Sequence, residues 1–121
     1  KENPFLSDNF GNTPLIEAMM GSHIHVVRIL RNAGAEFMEP HTGEHLRKGV
    51  LKGNLDFIKN LLENGANPNS TDHDGRTPLH ISTSQGMTLM SKLLIKHGAS
   101  LYAEEGIFLL VIPFFFQIST P

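Results

Sequence analysis

The sequence predicts an all-α fold, a solenoid of about three helix-turn-helix repeats with finger loops between them. Two observations carry this. The chain is self-similar at a fixed period, which decides architecture before any local propensity does. Each copy also repeats start and stop signals for two short helices. The first and third copies match best. Asn3, Pro4, Asp8, Gly11, Thr13, Pro14 and Leu15 recur as Asn67, Pro68, Asp72, Gly75, Thr77, Pro78 and Leu79. Leu30, Gly34 and Ala35 recur at the same shift as Leu94, Gly98 and Ala99. A weaker copy lies between them. Leu46, Gly53, Leu61, Leu62, Gly65 and Ala66 stand 33 residues before their counterparts in the third copy and 31 after those in the first. Two residues are therefore missing from the connection between the first and second copies.

The elements follow in chain order. In the first copy Thr13 can accept a hydrogen bond from a backbone N–H and so cap a helix. Pro14 then takes the first helical position, where no donor is needed. A second helix carries Val26, Val27 and Leu30 and ends near Gly34. In the second copy Glu44-His45-Leu46 replaces Thr-Pro-Leu, and the second helix carries Leu55, Ile58, Leu61 and Leu62 before Gly65. In the third copy Thr77-Pro78 opens the first helix and Gly86 breaks it after about two turns. Leu89, Met90, Leu93 and Leu94 form the apolar stripe of the last helix, which Gly98 ends as a left-handed residue. Asn67-Pro68 and Asp74-Gly75 mark a long polar turn before this copy.

These residues resemble the ankyrin repeat, over roughly Asn3 to Glu105. Asp72-His73-Asp74-Gly75-Arg76-Thr77-Pro78-Leu79-His80 matches the family's opening motif. Asp8-Asn9-Phe10-Gly11-Asn12-Thr13-Pro14-Leu15 does so with Ile16 in place of His. The order of a Gly-Asn-Thr-Pro-Leu repeat, a short finger near 36–45 and Asn67-Pro68-Asn69-Ser70-Thr71-Asp72 is similar to the cytosolic ankyrin domain of plant outward-rectifying Shaker-type potassium channels. The ankyrin-like tail of cytosolic asparaginases shares the punctuation, and a generic ankyrin scaffold is the third reading. The resemblance implies a non-enzymatic module that binds protein partners, including channel subunits, through its concave face. It implies a place in the cytoplasm, on the cytosolic side of a membrane if the chain belongs to a channel, where it would influence gating, assembly or trafficking.

Composition agrees with a binding module. Ten Lys+Arg against twelve Asp+Glu give a net charge of −2 over 121 residues. Nucleic-acid binding needs a basic footprint and is not expected. The absence of Cys removes a disulfide frame, a thiolate zinc site and a Cys nucleophile together. There is no ion-selectivity filter sequence and no voltage-sensing Arg series.

The repeats are expected at about 8–37, 38–70 and 71–103, within a unit spanning 1–105 and preceded by the end of a truncated repeat. The chain thus reads as a fragment that starts in mid-repeat. Residues 106–121 form an atypical apolar tail with no charge and four of the eight Phe. Its apolar stretch is about 12 residues, short of the ~20 that a membrane helix needs, so no span is expected.

Single sites resolve mostly into structure. His41 and His45 have the spacing of two metal ligands on one helical face, but the segment reads as a loop with no further ligands, so no metal is expected. His23 and His25 read as solvated. His80 reads as a structural residue beside the capped helix start. Asp72-His73-Asp74-Gly75 begins like a calcium loop but lacks the closing Glu and reads as a turn. No cofactor or catalytic motif appears. What remains is the concave face, formed by finger tips and first-helix positions: Asn9, Phe10, Asn12, Met20, His73, Asp74, Arg76, Ser84 and Gln85. Lys92 and Lys96 fall on the convex, solvated side.

Overall fold

The structure, a computed structural model, describes residues 11–37 and 41–104. Asn9, Phe10 and the tail at 106–121 lie outside the described residues. Among the described residues, six helices form three pairs: α1 (Pro14–Met20) with α2 (Ile24–Asn32), α3 (His41–Leu51) with α4 (Leu55–Glu63), and α5 (Pro78–Ser84) with α6 (Thr88–Lys96). Among the described residues there is no strand.

Local chemistry sets the boundaries. Thr13 Oγ1 accepts from the Ile16 N–H and Thr77 Oγ1 from the His80 N–H, both at 3.3 Å, and each Thr is followed by its Pro. The middle repeat has neither residue. Glu44 and His45 tolerate helical backbone and keep their N–H groups, so α3 extends toward the N-terminus to His41. The shortened connection thus runs into an additional helical turn at the start of α3. This corrects the expectation of a loop at His41–His45. The turn lies so close to the next finger that a Cβ on Gly43 would collide with the Thr71 carbonyl.

Each second helix ends in a left-handed glycine, at Gly34, Gly65 and Gly98. The following alanines, Ala35, Ala66 and Ala99, are all buried. The core is continuous along the array. Leu15, Met19, Leu46, Val50, Ile58, Leu61 and Leu94 have no exposed surface. Burying each such side chain contributes about 1.5–3 kcal/mol. The expected stripes need one correction. Val26, Leu55 and Leu89 are exposed by 47%, 36% and 66%. Successive helical residues lie about 100° apart. In the pairs Val26-Val27 and Leu89-Met90 only the second member turns inward, and Val27 and Met90 are the buried ones.

The pairs do not stack uniformly. α3 packs closely on α5, whereas α1 leans on α4 and lies more loosely beside α3. That looser joint, at the shortened connection, shapes the surface described next.

Candidate functional site: the finger and first-helix face

The finger of the third repeat is built around Asp72. Its buried carboxylate accepts from the backbone N–H groups of Asp74 (2.9 Å) and Arg76 (3.0 Å) through Oδ1. Arg47 Nε, from α3, stands 3.5 Å from Oδ2. The Asp72 N–H donates to the Arg76 carbonyl at 2.9 Å, and Gly75 takes the left-handed conformation the turn requires. The acidic segment is therefore occupied in forming a turn. Among the described residues, no group of three or more His, Cys, Asp or Glu is placed to hold a metal ion.

The tip is held by α3. Glu44 Oε2 accepts from the His73 N–H (2.6 Å) and from Nδ1 (2.8 Å), while His73 Nε2 stands 3.4 Å from Asp74 Oδ2. These bonds raise the His73 pKa above 6.5, the hydrogen bond to Glu44 first and the carboxylate charges after it. Burial works to raise the Glu44 carboxyl, but the bonds from His73 outweigh it and hold that group below 4.5. His73 and Asp74 remain exposed.

Arg76 and Ser84 are brought together, with Arg76 Nη2 donating to Ser84 Oγ at 3.4 Å. Ser84 and Gln85 are exposed at the end of α5. Asn12 is half-buried and Met20 is exposed by 42%. These two line a cleft of about 240 Å³ at the loose joint between α1 and α3, together with His45, Lys48, Lys52 and Phe57. The described candidates thus fall into a third-repeat group on the finger and the end of α5, and the pair Asn12 and Met20 at this cleft.

His41, His45 and His80 make structural contacts. His45 Nε2 donates to the Gly11 carbonyl at 3.1 Å, and the His41 ring packs on Gly11. Both residues of the metal-like pair therefore grip the preceding finger. His80 Nδ1 accepts from the Thr77 N–H at 2.9 Å, which fixes the tautomer in which Nε2–H donates to the Ala103 carbonyl at 2.8 Å. His23 and His25 are exposed.

Sequence reasoning missed Glu44, Arg47, Lys48 and Lys52. Two signals were present. The repeat shifts place Leu51 and Lys52 at the positions of Ser84 and Gln85. Glu44 and His45 stand where the motif wants Thr and Pro, so they were free to take other work.

Comparison with known proteins gives a consistent result. A family model described as ankyrin repeats (3 copies) matches residues 46–109, and a single ankyrin-repeat model matches residues 10–40. Potassium channel GORK of Arabidopsis thaliana is 48% identical over 64 residues, covering 53% of this chain and 8% of the channel. Potassium channel KOR1 of Oryza sativa subsp. japonica is 44% identical over 65 residues, covering 54% of this chain and 8% of the channel. A putative ankyrin repeat protein of fowlpox virus, FPV223, is 34% identical over 83 residues, covering 69% of this chain and 59% of its own length. The chain thus spans only about a tenth of the plant channels it matches, from 8% to 12% of their length. A crystal structure of an ankyrin repeat domain from Acinetobacter baumannii AYE superposes with a TM-score of 0.62 at 33% identity, over 83% of this chain and 55% of that one. No helix among the described residues is long and apolar enough to cross a membrane.

Proposed function

Because the chain belongs to the ankyrin-repeat family, we propose that it is a protein–protein interaction module and not a catalyst, and that it forms part of the regulatory cytosolic ankyrin region of a plant voltage-gated outward-rectifying potassium channel. The observation that carries the channel assignment is the similarity to two plant potassium channels over about half of this chain. A shared fold alone would not select channels over other ankyrin proteins, since function resides in the surface a fold carries. Partners bind through the finger and first-helix face: Asn9, Phe10, Asn12 and Met20 in the first repeat, and His73, Asp74, Arg76, Ser84 and Gln85 in the third. Scaffold residues recur between copies whereas these positions vary, as a recognition surface on a constant frame would.

The test is a splice. The corresponding ankyrin segment of an outward-rectifying plant channel is replaced by residues 11–104, and outward potassium current is recorded in oocytes. The expected result is voltage-dependent current, altered by the combined variant Met20→Ala/Arg76→Ala/Gln85→Ala and unaltered by Lys92→Ala/Lys96→Ala. If an unrelated ankyrin array restores current equally well, the channel assignment fails.

A further inference from the structure

We propose that the cleft between α1 and α3 is a docking site for an acidic peptide segment of a partner protein, with one medium-sized apolar side chain entering beside Met20. The inference rests on the reading of this face as the recognition surface and names the chemistry of what it recognises.

The charge argument comes from α3. Lys48, in the last turn of α3, and Lys52, four residues on and just past its end, both line the cleft. Like charges at this spacing repel. Both are exposed, and neither has an ion pair among the described residues. Elsewhere the chain pairs a lysine at the same spacing, with Lys59 Nζ 4.0 Å from Glu63. The end of α3 favours one positive charge beside its unsatisfied carbonyls. Lys48, in the last turn, supplies it. Lys52 adds a second charge beyond the helix end, which its local structure does not need. Opposite them stand Met20, at the end of α1, and Asn12, just before it, while the acidic Glu17 lies outside the cleft lining. An anionic ligand would relieve the lysine repulsion and meet no acid in the lining.

The size argument points to a peptide. The volume, about 240 Å³, lies below the roughly 300–1,000 Å³ of most small-molecule pockets. It suits one or two side chains. Met20 on the rim offers a flexible thioether that adapts to an apolar partner, and buried Phe57 closes the back. Two apolar side chains, Met20 and Phe57, beside two lysines fit a segment in which acidic residues flank an apolar one.

The experiment uses the full chain and a fluorescein-labelled heptapeptide with two acidic residues on each side of a central leucine. Binding is followed by anisotropy and by the methionine methyl signals in NMR. The Met20 methyl is expected to shift on titration while those of Met87 and Met90 stay. Lys48→Gln/Lys52→Gln is expected to weaken binding about five-fold or more, and Lys92→Gln/Lys96→Gln, on the convex side, to leave it unchanged. Raising NaCl from ~50 to ~500 mM should weaken binding to the native chain more than to the lysine variant. Equal binding of a peptide with Asn and Gln in place of the acids, an unmoved Met20 methyl, or unchanged affinity in the lysine variant would each overturn the proposal. If the peptide fails while the spliced channel still depends on Met20, Arg76 and Gln85, the inference alone is wrong. If that dependence fails as well, the recognition surface itself is misplaced.

Discussion

The carboxylate of Glu44 accepts two hydrogen bonds from one residue, His73: from its backbone N–H at 2.6 Å and from Nδ1 at 2.8 Å. The other ring nitrogen faces Asp74 at 3.4 Å. A carboxylate only accepts, so the pair of contacts selects the doubly protonated imidazolium. The clasp ties the first helix of the second repeat to the finger of the third. It also gives the joint a pH dependence.

The sign follows from the two shifts. The His73 pKa is raised, so its contribution is complete below about 6.5 and is lost as pH rises through the folded value. The Glu44 pKa is lowered, so its contribution is present above about 4.5 and is lost as pH falls through the folded value. The clasp is therefore tightest between those limits. In an NMR titration His73 should show a midpoint above 6.5 in the native chain, moving down in Glu44→Gln. An identical midpoint in both chains would show that Glu44 does not hold the imidazole. The His73 side chain is 63% exposed, so the effect belongs to finger position more than to global stability.

Asp72 should matter more to stability than its place in a polar turn suggests. Its side chain is 1% exposed and serves two backbone donors and Arg47. Asp72→Ala would strip all three partners and cost about 2–3 kcal/mol. Asp72→Asn keeps the Oδ1 acceptor and loses the charge opposite Arg47, so it should cost about half of that or less. Urea unfolding of the two variants checks the order. Equal losses would mean that the Arg47 contact, not the turn, sets the role of Asp72.

The second helices offer a contrast between buried and exposed leucines. Leu61 has no exposed surface, and Leu61→Ala should cost about 2–5 kcal/mol. Leu89 is 66% exposed, and Leu89→Ala should stay within about 0.5 kcal/mol. Comparable losses from both would place the inner face of α6 wrongly.

The contrast also marks what the sequence could and could not convey. Recurring residues made the helix pairs readable, because Thr-Pro and Gly act locally and leave a fixed signature at each end. Leu89 and Met90 are both apolar, and nothing in composition says which of two neighbours turns inward; the packing of α5 decides that. The middle repeat was misread at His41–His45 for a related reason. Glu44-His45 removed the usual start signal, and the backbone continued as helix where the missing signal suggested a loop. Asn12 and Met20 were legible by register from the other copies. Lys48 and Lys52 were not singled out, because their partnership with Met20 exists only across the loose α1–α3 joint.

The last prediction concerns three equivalent positions in the short loops between paired helices. Gly53 and Gly86 adopt φ of 68°, and in the first repeat Ser22 adopts φ of 56°. Ser22 is thus the only residue other than glycine with positive φ among those described. A Cβ in that conformation costs roughly 1–2 kcal/mol. Glycine would remove the strain but adds freedom to the unfolded chain, which offsets part of the gain. Ser22 is exposed, and its backbone bonds to Met19 and Ile24 do not involve the side chain. Ser22→Gly should therefore stabilise the chain by about 0.5–1 kcal/mol and raise Tm by a few degrees. The reverse change has a clean site. A Cβ on Gly86 would meet no atom within 4 Å, so Gly86→Ser reports backbone strain without a clash. It should destabilise by about 1 kcal/mol. Thermal and urea unfolding of both variants give the comparison. A neutral or lowered Tm in Ser22→Gly, with Gly86→Ser also neutral, would show that these loops relax and that the left-handed turn does not set the register between paired helices.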